Sequence, residues 1–401
     1  MVLKQKNIIN FLLYTWVILL MTQFLRVEYK IFYFTFFIFF LLLNIFVIFR
    51  NGFIFKANTY LNLHLWIFYI LIFYICGMTF FYGNLNDFLR ALPRMLIMPL
   101  TFIFFYNFIY SKRQFDRILI IYLIFSVIAA LSILYQIFFG PLEFIVDHTE
   151  RLGLERYAST AGSLTVFGGA TGIFLVLTGF YVNNYYIKLI VFILFGIAGA
   201  LSLSKSGLMN IFLGILILIF FTKFKNKFIF VFSLLLGTFL IYKFVPQIEL
   251  YLDTAFKSLD IWSDQHLSIR GQTSFRIFGA IHQLSIDSIF ETFFGYGLLG
   301  GQGAFGLPMS IAGTTHNQFG DLFQIGGIFL FLNVLSIIFA LMLELNKIRK
   351  NDFLANVFFY CNLIGIINMF FFNGFLYQPV TSFIFWLSLI YLIKKQEKIF
   401  N

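Results

Sequence analysis

A chain of 401 residues that is 61% hydrophobic and 11% charged, with a mean hydropathy of +0.91, has too few polar side chains to assemble a water-facing shell. That excludes a soluble globular domain and leaves an all-α polytopic membrane protein. The net charge of +11 would suggest nucleic acid in a soluble protein, but here the basic residues collect between apolar runs, so no nucleic-acid partner is expected.

Runs of about 17 to 25 apolar residues suffice to cross about 30 Å of hydrocarbon at about 1.5 Å per residue. Such runs fall at about 8–25, 31–49, 60–82, 92–110, 117–140, 160–182, 186–203, 206–222, 228–246, 316–343, 353–371 and 375–393. They predict about 12 transmembrane helices in a single integral membrane domain, 1–401, with external loops at about 141–159 and 247–315. The first run follows Lys4 and Lys6 without a small-residue cleavage site and reads as a retained helix. Cys76 and Cys361 lie inside apolar runs, where they behave as small hydrophobes outside any disulfide framework.

With twelve spans, both termini share one side with 17 of the 28 basic residues and four of the 17 acidic ones. The positive-inside rule makes that side cytoplasmic and puts the long 247–315 segment outside. The 181–188 connection, with Lys188 alone, and the short apolar runs between Leu201 and Phe221 are where the map is weakest.

In the first excursion, Arg151 and Arg156 precede a helix carrying Gly162, Gly168, Gly169 and Gly172, small residues that let neighbouring helices approach. Either arginine could pair with Glu150 or Glu155 on a solvated loop; Arg156, nearer the membrane, is the better anion ligand. Lys205 stands in Ser204-Lys205-Ser206-Gly207, a polar turn open to an anion, although a lysine at a helix end also snorkels without function.

The second excursion holds apolar residues at 275, 278, 281, 284 and 289 with Arg276, Gln283 and Asp287 opposite, a pattern for a short amphipathic helix along the outer boundary. Arg270 and Arg276 could grip phosphate oxygens bidentately, whereas His282 reads as solvated. The glycine-dense stretch 295–306 lacks the preceding strand and the terminal Lys-Ser/Thr of a nucleotide loop and is expected to be a flexible connector. His316, followed by Asn317, opens the tenth span; its imidazole, with an ordinary pKa of about 6.5, could serve as a general base or merely cap the helix. Asp147, His148 and Glu150 lack a convincing fourth ligand, so neither a metal nor another cofactor is expected.

The order of these motifs, Arg156 before a small-residue helix, Ser-Lys-Ser-Gly at 204–207, Arg276 followed by Gly295-Tyr-Gly, and His316-Asn317 leading to Gly326-Gly327, resembles the O-antigen polymerase and O-antigen ligase superfamily over roughly 150–335. That resemblance implies a GT-C-like membrane glycosyltransferase acting outside the bacterial inner membrane on an undecaprenyl-diphosphate-linked oligosaccharide. It implies that Arg156 and Arg276 hold the donor diphosphate with Lys205 helping, and that His316 deprotonates the attacking hydroxyl. It also implies a chain-length regulator and a flippase as partners, with membrane lipid around the chain. Lysine at 205, where many relatives carry arginine, keeps the charge and loses the fork. Polymerase is the leading expectation, with ligase and protein oligosaccharyltransferase as alternatives of the same chemistry. A multi-span transporter or flippase is the alternative of another class.

Overall fold

The computed structural model describes residues 2–25, 30–51, 60–82, 85–145, 148–151, 154–202, 204–221, 227–257, 289–295, 297, 318–370 and 376–398. Its long helices are α1 (Val2–Met21), α2 (Lys30–Asn51), α3 (Tyr60–Tyr82), α4 (Leu85–Phe108), α5 (Lys112–Phe139), α6 (Leu164–Tyr181), α7 (Tyr185–Leu201), α8 (Lys205–Phe221) and α9 (Lys227–Phe244). Two short ones, α10 (Pro246–Lys257) and α11 (Ile289–Phe294), precede α12 (Gln318–Ile348), α13 (Phe353–Asn368) and α14 (Pro379–Gln396). Among the described residues, twelve helices of sixteen residues or more fall on the twelve apolar runs. Three stretches, Tyr60–Phe80, Lys112–Phe139 and Gln318–Ile348, are long and apolar enough to cross a membrane, and most of the other long helices hold shorter apolar stretches.

The polarity of the bundle is inverted relative to a soluble protein. Large apolar side chains face outward, including Phe73 at 72%, Phe232 at 66% and Phe339 at 65% exposure, a surface that would aggregate in water. Polar groups lie inside, among them Asn44, Thr101, Asn210, Asn362 and Asn368. The Trp16 indole donates to Thr101 Oγ1 at 2.9 Å and stacks on Phe40, which ties α1 to α2 and α4.

Hydrogen bonds sort the helix termini into two ends. At the basic end, Gln114 donates to Asn10, Tyr106 to Glu397 and Tyr181 to Asp116. Asp352 is the hub there: it caps α13 by accepting from the Ala355 N–H at 3.1 Å, and it accepts from Tyr391, Lys395 and, at 3.5 Å, Lys112. Burial pushes its carboxyl upward, but the Lys395 ammonium, the Tyr391 hydroxyl and the Ala355 N–H outweigh burial and hold the pKa at about 2. A depressed carboxylate stabilises above its unfolded pKa and loses that contribution as pH falls through its folded one. Asp352→Asn should therefore cost about 2 kcal/mol at neutral pH. In detergent melts the gap to wild type should be roughly halved by about pH 3; a gap that stays constant from pH 6 to pH 3 would contradict this account.

The opposite end carries a feature that the all-α expectation missed. Within the first excursion, β1 (His148–Arg151) and β2 (Leu154–Tyr157) pair antiparallel, with Thr149 opposite Arg156 and Glu150 opposite Glu155. Four residues of alternating character per strand are too few to announce a strand in sequence, and external packing holds this one. Gln136 at the end of α5 donates to Ala158 O at 2.8 Å, and Tyr251 on α10 donates to Glu155 O at 2.6 Å. Helix α10 itself buries Ile248, Tyr251 and Leu252, a spacing of three and four that makes one apolar stripe. The amphipathic helix expected around 275–289 lies outside the described residues except for its last position.

Small residues do bring helices together, as the 160–182 segment predicted. A methyl group on Gly168 would stand 2.5 Å from Ser204 Oγ, and one on Gly172 would stand 2.6 Å from the Asn210 carbonyl oxygen, so α6 and α8 pack nearly backbone to backbone.

Candidate functional site

The hairpin end gathers the sequence-predicted residues that the structure describes. Arg156 on β2 directs both Nε and Nη2 onto one acceptor, the Ser202 carbonyl, at 3.0 and 2.8 Å. That carbonyl lies at the C-terminus of α7, where the last carbonyls lack helical partners and the helix dipole is negative. The guanidinium is thus committed across the turn to the chain three residues before Lys205, which begins α8. Arg156 was expected on a solvated loop or on a free anion. Its contacts with Ser202 brace the turn at which α8 begins.

From that turn a seam of hydrogen bonds runs inward. Ser202 Oγ lies 3.1 Å from Ser204 Oγ, which lies 3.3 Å from Ser206 Oγ and accepts from the Gly207 N–H at 2.9 Å. Asn210 donates to Ser206 O at 2.8 Å and to Asn368 Oδ1 at 3.0 Å, and Asn368 donates to Gly169 O at 2.9 Å. One residue on, Met369 O accepts from the Gln318 N–H at 2.9 Å. The seam therefore links the Arg156 hairpin, the 202–207 turn, the small-residue helix and the first residue of α12.

Helix α12 is not continuous. Gly326 and Gly327 leave helical geometry, with Gly327 at φ 62°, ψ −161°, a region reserved for glycine. The break frees the Ile325 carbonyl, which accepts from the Gly297 N–H at 3.0 Å. Gly295 and Gly297, both at positive φ, bring the chain after α11 hard against the break. A methyl group on Gly295 would stand 2.5 Å from Gly326 N, and one on Gly297 would stand 2.6 Å from Thr79 N on α3. The start of the glycine-dense stretch is therefore no flexible connector but a wedge that satisfies a broken helix. Irregular backbone at this depth persists in membrane proteins where it is buried in protein or lines a cavity.

The half-helix before the break, Gln318–Ile325, carries Gln318, Asp321 and Gln324, all buried. This polar set was missed in the sequence, as were Ser202, Asn210 and Asn368. The signal was present: each is a polar residue inside or at the edge of an apolar run, where such residues are scarce.

No family model, no curated protein and no solved structure matches this chain. Any functional reading therefore stands on the residues and their arrangement. Arg270, Arg276 and His316, with His282, lie outside the described residues. Arg156, the backbone of Lys205 and the helix that follows His316 by two residues belong to one hydrogen-bonded unit. The His148 backbone sits in β1, while Asp147 lies outside the described residues.

Proposed function

We propose that this chain is a membrane polymerase that joins lipid-linked oligosaccharide repeats on the outer face of a bacterial plasma membrane. The observation that carries the reading is the seam from Arg156 through Ser202–Asn210 to Asn368 and Gln318, which ties three separate sequence motifs to one end of the bundle, opposite the basic end. In this reading the chain crosses twelve times with both termini cytoplasmic. The donor is an undecaprenyl-diphosphate-linked glycan, and fixed cations take the part that a metal ion plays in other glycosyltransferases. A chain-length regulator and a flippase work beside it.

The chemistry is an inverting displacement. An acceptor sugar hydroxyl forms a bond to the anomeric carbon while the bond from that carbon to the diphosphate oxygen breaks. The hydroxyl proton passes to His316, and the electron pair leaves with undecaprenyl diphosphate. Cations at the leaving oxygens, Arg276 first with Arg270 and Lys205, stabilise the charge that develops there. Arg156 contributes by fixing the Lys205 turn. Arg156→Lys retains the charge but not the two-pronged hold on Ser202, so polymer output should fall by about tenfold, equivalent to about 1.4 kcal/mol. Wild-type polymer in Arg156→Lys at equal membrane levels would remove the bracing role.

A deletion strain tests the whole reading. Single repeats on the lipid A core mark a lost polymerase; intact polymer stranded on its lipid carrier marks a ligase instead. The break in α12 also favours a second reading, since transporters build substrate sites at interrupted helices. Purified protein in liposomes with a lipid-linked repeat separates the two: a new glycosidic bond rejects transport alone, and substrate movement without bond formation rejects the enzyme.

A further inference from the structure

The half-helix Gln318–Ile325 has an unusual interior. Gln318 and Gln324 are 0% and 3% exposed, and they are the two buried side-chain amides among the described residues whose NH2 group has no hydrogen-bond partner. The orientation of Gln318 follows from its oxygen, which accepts from the Leu376 N–H at 3.5 Å. The next residue, Tyr377, has a hydroxyl that is likewise buried without a partner. Asp321, 5% exposed and one turn from Gln318, is close enough to act electrostatically on that hydroxyl.

Buried donors left unmade carry the full desolvation penalty of the group, so a cluster of them signals a ligand or ordered water. The composition of this wall selects among ligands. Two neutral amide donors, a hydroxyl that can donate or accept, and one carboxylate match a group that both donates and accepts. They offer no cation to a diphosphate.

We infer that Gln318, Asp321, Gln324 and Tyr377 form a subsite for the hydroxyl groups of the acceptor saccharide. The subsite rests on the glycosyltransfer reading and deepens it: in that reading cations take the donor diphosphate, and this wall of α12 takes the acceptor. Its place in sequence is apt, because His316 lies two residues before Gln318 and must meet the acceptor hydroxyl. Three of the four side chains belong to the short half-helix held by the Gly326–Gly327 break and the Gly297 N–H, so that part of the wall is positioned independently of the rest of α12.

Gln324→Met and Tyr377→Phe test this in purified full-length protein. Both remove a polar group without a partner and nearly keep shape, so melting temperature should stay level or rise. Kinetics would vary a repeat oligosaccharide carried on a short alkyl chain at fixed lipid-linked donor. The acceptor KM should rise about tenfold in each variant, with the donor KM unchanged. Wild-type acceptor KM in both variants, beside active wild-type enzyme, overturns the subsite while leaving glycosyl transfer in place. If wild type makes no glycosidic bond, the reaction reading falls separately, and binding decides the subsite. The free repeat oligosaccharide released from the host's lipid-linked pool should raise the melting temperature of wild type but not of the variants. An equal shift in all three, or no shift in wild type, overturns it. Should Gln324→Met fail to reach the membrane, Tyr377→Phe carries the same comparison alone.

Discussion

Replacing His316 with alanine should abolish polymer while the protein still reaches the membrane. A positioned general base contributes about 10²- to 10⁴-fold, and in the proposed glycosyl transfer His316 is the residue assigned to take the proton of the attacking hydroxyl. The structure supplies the setting. His316 precedes α12 by two residues, and the first residue of α12 is anchored by its N–H to Met369 O and buried completely. Arg276→Ala should give the same loss through the leaving group. His282→Ala should keep polymer, because that residue reads as solvated. The check is the glycan ladder of a complemented deletion strain, with membrane protein measured by immunoblot. Near-normal ladders from His316→Ala would remove the base, and near-normal ladders from Arg276→Ala would remove the diphosphate contact.

Gly327→Ala should produce the largest loss of stability among single-atom additions. Its backbone occupies a region that only glycine enters cheaply, which alone costs an L residue about 1–3 kcal/mol. A methyl group there would also collide with the backbone of Phe293 and Phe294 on α11, which cannot turn aside as a flexible side chain could. The expected result is a fall of several degrees in the detergent melting temperature, with loss of protection in the 289–297 segment. Gly196→Ala is the matched comparison, since a methyl group there meets nothing within 4 Å in mid-helix, and alanine is the better helix former by about 0.5–1 kcal/mol. Equal melting temperatures for the two variants would mean that the wedge at the break carries no strain.

Much of the architecture was legible in the sequence, and the reason is local. An apolar helix meets every backbone hydrogen bond within itself, so length and hydropathy suffice to place it. Among the described residues each run predicted between 8 and 393 carries a helix, and the glycines of 160–182 packed where small residues allow close approach. Two readings needed correction for lack of that locality. The 141–159 loop is in part a hairpin whose short strands are held by Gln136 and Tyr251, and Gly295 and Gly297 form a wedge because their partners lie on α3 and α12.

The site divides the same way. Charge and imidazole stood out against an apolar background, so Arg156, Lys205, Arg270, Arg276 and His316 could be named from their residue types. What each charged or polar group touches could not be read. Arg156 meets the Ser202 carbonyl 46 residues along the chain, and Gln318 and Gln324 are buried with unmade donors, which depends on what packs around α12. Sequence by itself determined a twelve-segment apolar chain with its cations concentrated at one set of turns, since those properties depend on neighbours in the chain. Tertiary structure alone decided which carbonyl an arginine closes on, where a helix is interrupted and which amides stay unpaired, since those depend on contacts made across the bundle after the helices have formed.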